Sequence, residues 1–232
     1  MGQFSLSKTS NLAYINVGGN GSNDMTVFKS IGLLIFISIQ AMGQSTDSLT
    51  SNHWIEKQLK LTDIKTSDAE IDLRIYLDRG ITNGGHVLHI FKTNKGWTGT
   101  KYDYWLKMND GQVTEKIERT NMTKLESRDW NSLWTKLQQF NIGNLPDQSS
   151  IKDKLRKKIT ANRAPGYEAY EVMIMTDGSS YDLEIKSGEK TTNYSFHEPC
   201  AYSNKYPVVE EVKNYCNIIL TLEQEFQIKF IH

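Results

Sequence analysis

Ile71-Asp72-Leu73-Arg74-Ile75-Tyr76-Leu77-Asp78 alternates apolar and polar side chains without a break. A period of two is the mark of a β-strand with one buried face, because successive side chains on a strand point to opposite sides. Ile71, Leu73, Ile75 and Leu77 then form the core row, and Asp72, Arg74, Tyr76 and Asp78 face outward. Downstream, Gly80 to Gly85 reads as a loop, and His86 to Lys92 as a second strand. Asn94-Lys95-Gly96 turns into a third strand over 97–108. Asn109-Asp110-Gly111 is a strong hairpin signal, and 112–119 is the fourth strand.

The period then changes. Trp130, Leu133, Trp134, Leu137 and Phe140 recur at spacings of three and four, one apolar helical stripe. Gly143 and Leu145-Pro146 end it, and 147–166 is a polar, basic connector. A second meander is expected over 167–176, 181–186 and 190–196, with turns at Asp177-Gly178 and Ser187-Gly188. A last helix is expected over 207–226. Pro207 suits its first turn, and Val208, Val212, Tyr215, Ile219, Leu222 and Phe226 form its buried stripe. Trp54, Ile55 and Leu59 mark a short helix capped from Thr50 or Ser51.

Strands joined by tight turns pair antiparallel, so the class is α+β. The reading is an antiparallel sheet of about seven strands in two meanders, each followed by a packing helix. Residues 70–232 form a single domain with helices on one face. The alternative is two similar lobes, 70–141 and 167–227. Residues 44–69 are a polar N-terminal segment holding the short helix.

The beginning of the chain has a different character. From Met25 a short basic start with Lys29 leads into the apolar run Ile31 to Ile39, then Ala41-Met42-Gly43. These are the three parts of a secretory signal peptide over 25–43, with cleavage before Gln44. The run is too short for a permanent membrane span, which takes about 20 apolar residues. Residues 1–24, rich in Asn, Ser and Gly, read as an unstructured leader or a start called too early, with Met25 the working start. The protein is therefore expected in the periplasm or secreted.

Removing 1–43 takes away Lys8, Lys29 and Asp24 and leaves 189 residues with 25 basic and 26 acidic side chains. Near-neutral charge argues against a general nucleic-acid partner. A domain of this length buries enough surface to fold without a staple. In an oxidising compartment the two cysteines, Cys200 and Cys216, suggest one disulfide. Free buried thiols and metal ligation with His197 are the alternatives.

Chemistry is thinly signalled. His86 and His89 are spaced as a metal pair, but an odd separation on a strand puts them on opposite faces; they read as half-exposed strand histidines. Glu171, Asp182 and Glu184 stand on the outer face of the second meander, where two acids at a suitable separation serve a glycosidase. Ser195 and His197 lack any Gly-x-Ser-x-Gly elbow. His197 with Cys200 is a thiol–base pair only if Cys200 is free. No catalytic residue, metal or cofactor is assigned.

The densest aromatic stretch is 101–108. Tyr102, Tyr104, Leu106 and Met108 share the core face, and Trp97, Lys101, Asp103, Trp105 and Lys107 share the other. Trp105 among charges is a candidate platform for a sugar or an anchor for a protein. Lys152, Lys154, Arg156, Lys157 and Lys158 are a candidate basic patch for an anionic partner. The sequence therefore favours an exported soluble, non-catalytic binding module for a protein or envelope component. The alternative is a hydrolase of an envelope or extracellular polymer.

Overall fold

The computed structural model describes residues 11–17, 52–78, 83–159, 168–175 and 178–230. The segment read as a signal peptide lies outside them. In chain order the elements are β1 (Asn11–Val17), α1 (His53–Leu59), β2 (Ile71–Asp78), β3 (Gly84–Thr93), β4 (Gly96–Asn109), β5 (Gln112–Leu125) and α2 (Trp130–Gln139). There follow a single 3-10 turn (Gln148–Ile151), β6 (Arg156–Ile159), β7 (Glu168–Ile174), β8 (Ser180–Ser187), β9 (Lys190–His197), α3 (Pro199–Lys205) and α4 (Glu210–Phe226).

The class is α+β, and every strand pairing is antiparallel. The main sheet has six strands in the order β5-β4-β3-β2-β8-β9. The first meander forms as the alternation and turns dictate. Asp110 and Gly111 both take positive φ (49° and 77°), the conformation a two-residue hairpin needs and that Gly supplies at little cost.

The second meander differs from its expected form. β7 leaves the main sheet and pairs with β6, a strand inside the segment read as a connector. β1 adds to the other side of β7, Asn11 opposite Ile174, within the stretch read as an unstructured leader. Choosing a sheet partner is a non-local matter that strand periodicity does not encode.

One face of the main sheet carries Leu73, Ile75, Leu77, Leu88, Ile90, Leu183, Ile185 and Phe196, packed under Leu133, Leu137 and the stripe of α4. Asp129 caps α2, its Oδ1 accepting from the Asn131 and Ser132 amides at 3.1 Å, a contribution of about 1 kcal/mol. In α4 the stripe holds except at its start: Val208 is 86% exposed, because the helix begins at Glu210 and leaves Pro207-Val208 in the preceding turn. Pro199 opens a further helix, α3, ahead of it.

The opposite face is not left to solvent. α1 lies on it, with Ile55, Tyr76, Val87, Tyr102 and Tyr104 forming a second, smaller core. Leu106 packs against this cluster, while Met108, expected in the core, is 45% exposed near the hairpin tip. The helix starts after Asn52 rather than Thr50 or Ser51. Helices therefore cover both faces, a correction to the one-sided reading. Among the described residues no helix is long and apolar enough to cross a membrane.

Cys200 and Cys216 form a disulfide joining α3 to α4. The closed loop spans a sequence separation of 16, and constraining it in the unfolded chain is worth about 3 kcal/mol. Reduction is expected to lower the urea midpoint accordingly; identical denaturation curves with and without reductant would contradict this.

Candidate functional site

Strand pairing assembles two polar regions on opposite faces of the sheet. The first lies on β3, β4 and β5. The β3–β4 register sets Gly84 opposite Trp105, His86 opposite Asp103 and Leu88 opposite Lys101. Tyr102 and Tyr104 point into the α1 layer, as the alternation requires, so Lys101, Asp103 and Trp105 point to the other side. There Asp103 is ion-paired with His86, and Lys101 Nζ donates to its Oδ1 at 2.5 Å. His86 is buried rather than half-exposed.

Trp105 sits where β4 and β5 lose register between Trp105 and Leu106. A bulge of this kind re-aims side chains. Asn83 locks the irregularity: its carbonyl accepts from the Leu106 amide at 2.6 Å, and its Nδ2 donates to the Leu106 carbonyl at 3.4 Å. The indole lies against Gly84, where a Cβ would come within 2.7 Å of the Tyr104 carbonyl and 3.2 Å of Trp105 Cδ1. Only glycine leaves room for this seat. The Arg119 guanidinium stands 4.0 Å from the ring centroid, a cation–π contact. Asn83, Trp105, Glu118 and Arg119 line a cleft of about 560 Å³. Arg119 thus occupies the ring face that a stacked sugar would need in this conformation, and the site presents an indole–guanidinium pair instead of a bare platform.

Trp97 belongs elsewhere. Its ring stacks on Trp130 at 6.0 Å and meets Trp134 at 5.9 Å, and its Nε1 donates to Asn131 at 2.9 Å. Eight residues of extended chain, about 26 Å, separate it from Trp105, so it anchors α2 to the sheet.

The second region is a buried ionic network beneath α1. Arg74, with 0% exposure, donates from Nε and Nη2 to Asp72 at 3.0 and 2.9 Å, from Nη2 to the Thr62 carbonyl at 2.6 Å, and from Nη1 to Glu56. Tyr76 donates its hydroxyl to Glu56 at 2.6 Å, and His89 Nε2 lies 3.0 Å from Asp72. Burial opposes ionisation of Asp72, but the hydrogen bonds from His89 and Arg74 outweigh it and hold its pKa at about 2. Burial, with the charges of Glu184 and Glu56, pushes the Tyr76 phenol far up.

Glu184 adjoins this network and is buried, not solvent-facing as expected. Burial and then the Glu56 charge push its carboxyl up to about 7, against the pull of Arg74 and Asn52. A cavity of about 150 Å³ beside it is lined by Asn52, Asp147, Asp182, Glu184, Asn193 and Ser195. Asp147 is engaged there, accepting from the Ser195 amide at 2.7 Å. Glu171 does not line this pocket: it stands on β7, in the other sheet, paired with Lys205.

Most of the remaining candidates are engaged with neighbouring side chains or strands. Lys154 pairs with Glu211, Arg156 with Asp153 at 3.3 Å and over the Tyr170 ring at 4.4 Å, while Lys157 stands opposite Glu171. Lys152 follows the 3-10 turn and Lys158 faces Tyr170 in the β6–β7 pairing. The basic patch is therefore interleaved with acids. Cys200, being bridged, offers no thiolate to His197. His86 and His89 lie on opposite faces, one with Asp103 and the other with Asp72. Among the described residues no three His, Cys, Asp or Glu side chains converge as a metal set.

Sequence reasoning missed the network. Asp72, Arg74 and Tyr76 sit two apart on one strand face, but nothing in that spacing signals that Glu56 will close over them. The chain matches no family model, no curated protein and no solved structure.

Proposed function

We propose that this protein is an exported, non-catalytic binding module that engages a protein or envelope component through the Trp105 face. The observation that carries the reading is the Trp105–Arg119 pair, set in a cleft of about 560 Å³ with Asn83 and Glu118 on its walls. Tryptophan and arginine are the residue types that dominate binding energy at interfaces. Here a bulge, the Gly84 seat and the Asn83 clamp hold the anchor in place before any partner arrives, which lowers the ordering cost of binding. Lys101 and Asp103 extend the same face with fixed charges. Export is supported by the Met25–Gly43 pattern and by the Cys200–Cys216 bridge, which suits an oxidising compartment. The proposed location is the periplasm or the extracellular space.

A second reading has an observation of its own. Burial and the Glu56 charge push the Glu184 carboxyl up to about 7, and Asp182 stands two residues away on the same strand face; a glycoside hydrolase uses two acidic side chains with one raised in this way. Its cavity of about 150 Å³ is below the roughly 300–1,000 Å³ of ordinary ligand pockets, and burial with Glu56 accounts for the raised carboxyl without a catalytic task.

The test is affinity capture from envelope extract and spent medium of the producing cell. A saturable partner is expected that Trp105→Ala no longer retains, with the variant's melting temperature close to that of the parent. Equal retention by both proteins, or a large loss of stability in Trp105→Ala, would count against the binding role. Turnover of an envelope polymer that stops in Glu184→Gln would favour the hydrolase.

A further inference from the structure

The loop that follows α2 is pinned against β9 and lines a cavity of about 350 Å³. Tyr194 donates its hydroxyl to the Ile142 carbonyl, and Thr192 Oγ1 donates to the Gly143 carbonyl at 3.4 Å. Lys190 Nζ donates to Asn144 Oδ1 at 2.5 Å and to the Gly143 carbonyl at 3.5 Å. Asn144 Nδ2 in turn donates to Asn141 Oδ1 at 3.3 Å. Asn141 takes positive φ (58°), which Asn tolerates better than most side chains. The wall is thus fixed before any ligand arrives, which lowers the ordering cost of binding.

This cavity and Trp105 lie at opposite ends of the sheet. Ser187, on the cavity wall, pairs with Ile71, Ile71 with Lys92 and Lys92 with Trp97. Trp105 pairs with Gly84, at the other end of β3.

The lining has a definite chemistry. Ile142 and Ile185, both buried, supply its apolar part. Trp134 is half-buried, and its ring meets Trp97 at 5.9 Å. The Trp134 indole N–H, the Gln138 side-chain amide, Asn141 Nδ2 and the Ser187 hydroxyl have no hydrogen-bond partner among the described residues. Each is available to a ligand. Among the described residues no acid lines the cavity. Lys190 is its one cation there, and two of its three donors are already engaged. The volume falls within the roughly 300–1,000 Å³ of ordinary ligand pockets. A wholly apolar ligand would leave the amides unpaired, and an anion would meet a single, part-spent ammonium. A sugar ring suits both parts of the lining, with a C–H face for the indole and hydroxyls for the amides.

We propose that this cavity binds a neutral saccharide, with Trp134 as its aromatic wall and Gln138 and Asn141 donating to the sugar hydroxyls. The site is separate from the Trp105 face, so either can fail while the other stands.

The test is NMR of the isotope-labelled protein, with Trp134→Phe and Trp105→Phe identifying the two indole N–H resonances. The probes are chitotriose, which carries acetamido groups, cellotriose, which carries only hydroxyls, and the acidic trigalacturonate. The Trp134 resonance is expected to move saturably, in the millimolar range or tighter, with at least one of the neutral sugars, while the Trp105 resonance stays in place. The acidic sugar should bind more weakly than that neutral one. Gln138→Ala combined with Asn141→Gly should weaken binding at least about tenfold, the scale of two lost hydrogen bonds. Both positions are exposed, alanine favours the helix and glycine accepts the positive φ, so the thermal melt should match the parent. A Trp134 resonance that stays still with both neutral sugars would overturn the proposal. So would movement of the Trp105 resonance instead, tighter binding of trigalacturonate, or unaltered affinity in the double variant.

Discussion

Arg74→Met is expected to destabilise the protein by about 3–5 kcal/mol, the usual cost of removing one partner from a buried ion pair. The guanidinium has no exposed surface and serves Asp72, Glu56 and the Thr62 carbonyl together. Methionine fills a similar volume but leaves two acids facing each other in an enclosed space. They must then ionise unpaired or take up protons. The loss should therefore shrink when Glu56→Gln and Asp72→Asn are added, because the neutral set no longer needs the cation. Urea unfolding of the single and triple variants measures both effects. A single-variant loss under 1 kcal/mol would mean that water reaches the network and that α1 does not close over it.

Glu184→Gln is expected to act in the opposite direction above neutral pH. The folded protein holds this carboxyl at about 7, against an ordinary 4.5. A raised carboxyl favours the protonated form in the folded state. Its contribution is complete below about pH 4.5 and disappears as pH rises through 7. The wild type should thus lose about 2–3 kcal/mol between about pH 5 and about pH 8 from this group. Glutamine copies the neutral acid and should remove that loss, making the variant the more stable protein at the alkaline end. Asp72 works in another window. Its lowered pKa gives stability above about 3.8 that is lost as pH falls through about 2, so acid unfolding should be unaltered in Glu184→Gln. Parallel wild-type and variant profiles across neutrality would contradict the assignment.

Much of the frame was legible because it is local. Alternation in Ile71–Leu77, the Asp110-Gly111 turn, the stripe from Trp130 to Leu137 and the Cys200–Cys216 pairing each rest on neighbours in sequence or on one short loop. The polar face of β2 was not legible. Asp72 and Arg74 look solvent-facing, and they are buried only because Glu56 and His89 arrive from other elements to satisfy them. Glu184 follows the same logic: an acid in an alternating strand reads as exposed until α1 covers it. β6 was hidden inside a basic run, where charge suggested a connector, and β7 was drawn away from its expected neighbour by that strand. Trp97 and Trp105 shared a face in the sequence, as they do in the fold. Only the position of α2 separates them into a core anchor and a cleft residue. Arg119, which completes the Trp105 site, came from the register across the hairpin and had no local signal.

We propose that binding runs through Trp105 and not through the Glu184 pocket. A calorimetric titration of the captured partner against wild type, Trp105→Ala and Glu184→Gln decides between them. Trp105→Ala is expected to lose at least about thirtyfold in affinity, the scale of an interface hot spot, while Glu184→Gln binds as the wild type does. Unchanged affinity in Trp105→Ala together with a comparable loss in Glu184→Gln would contradict it and move the functional centre to the opposite face of the sheet.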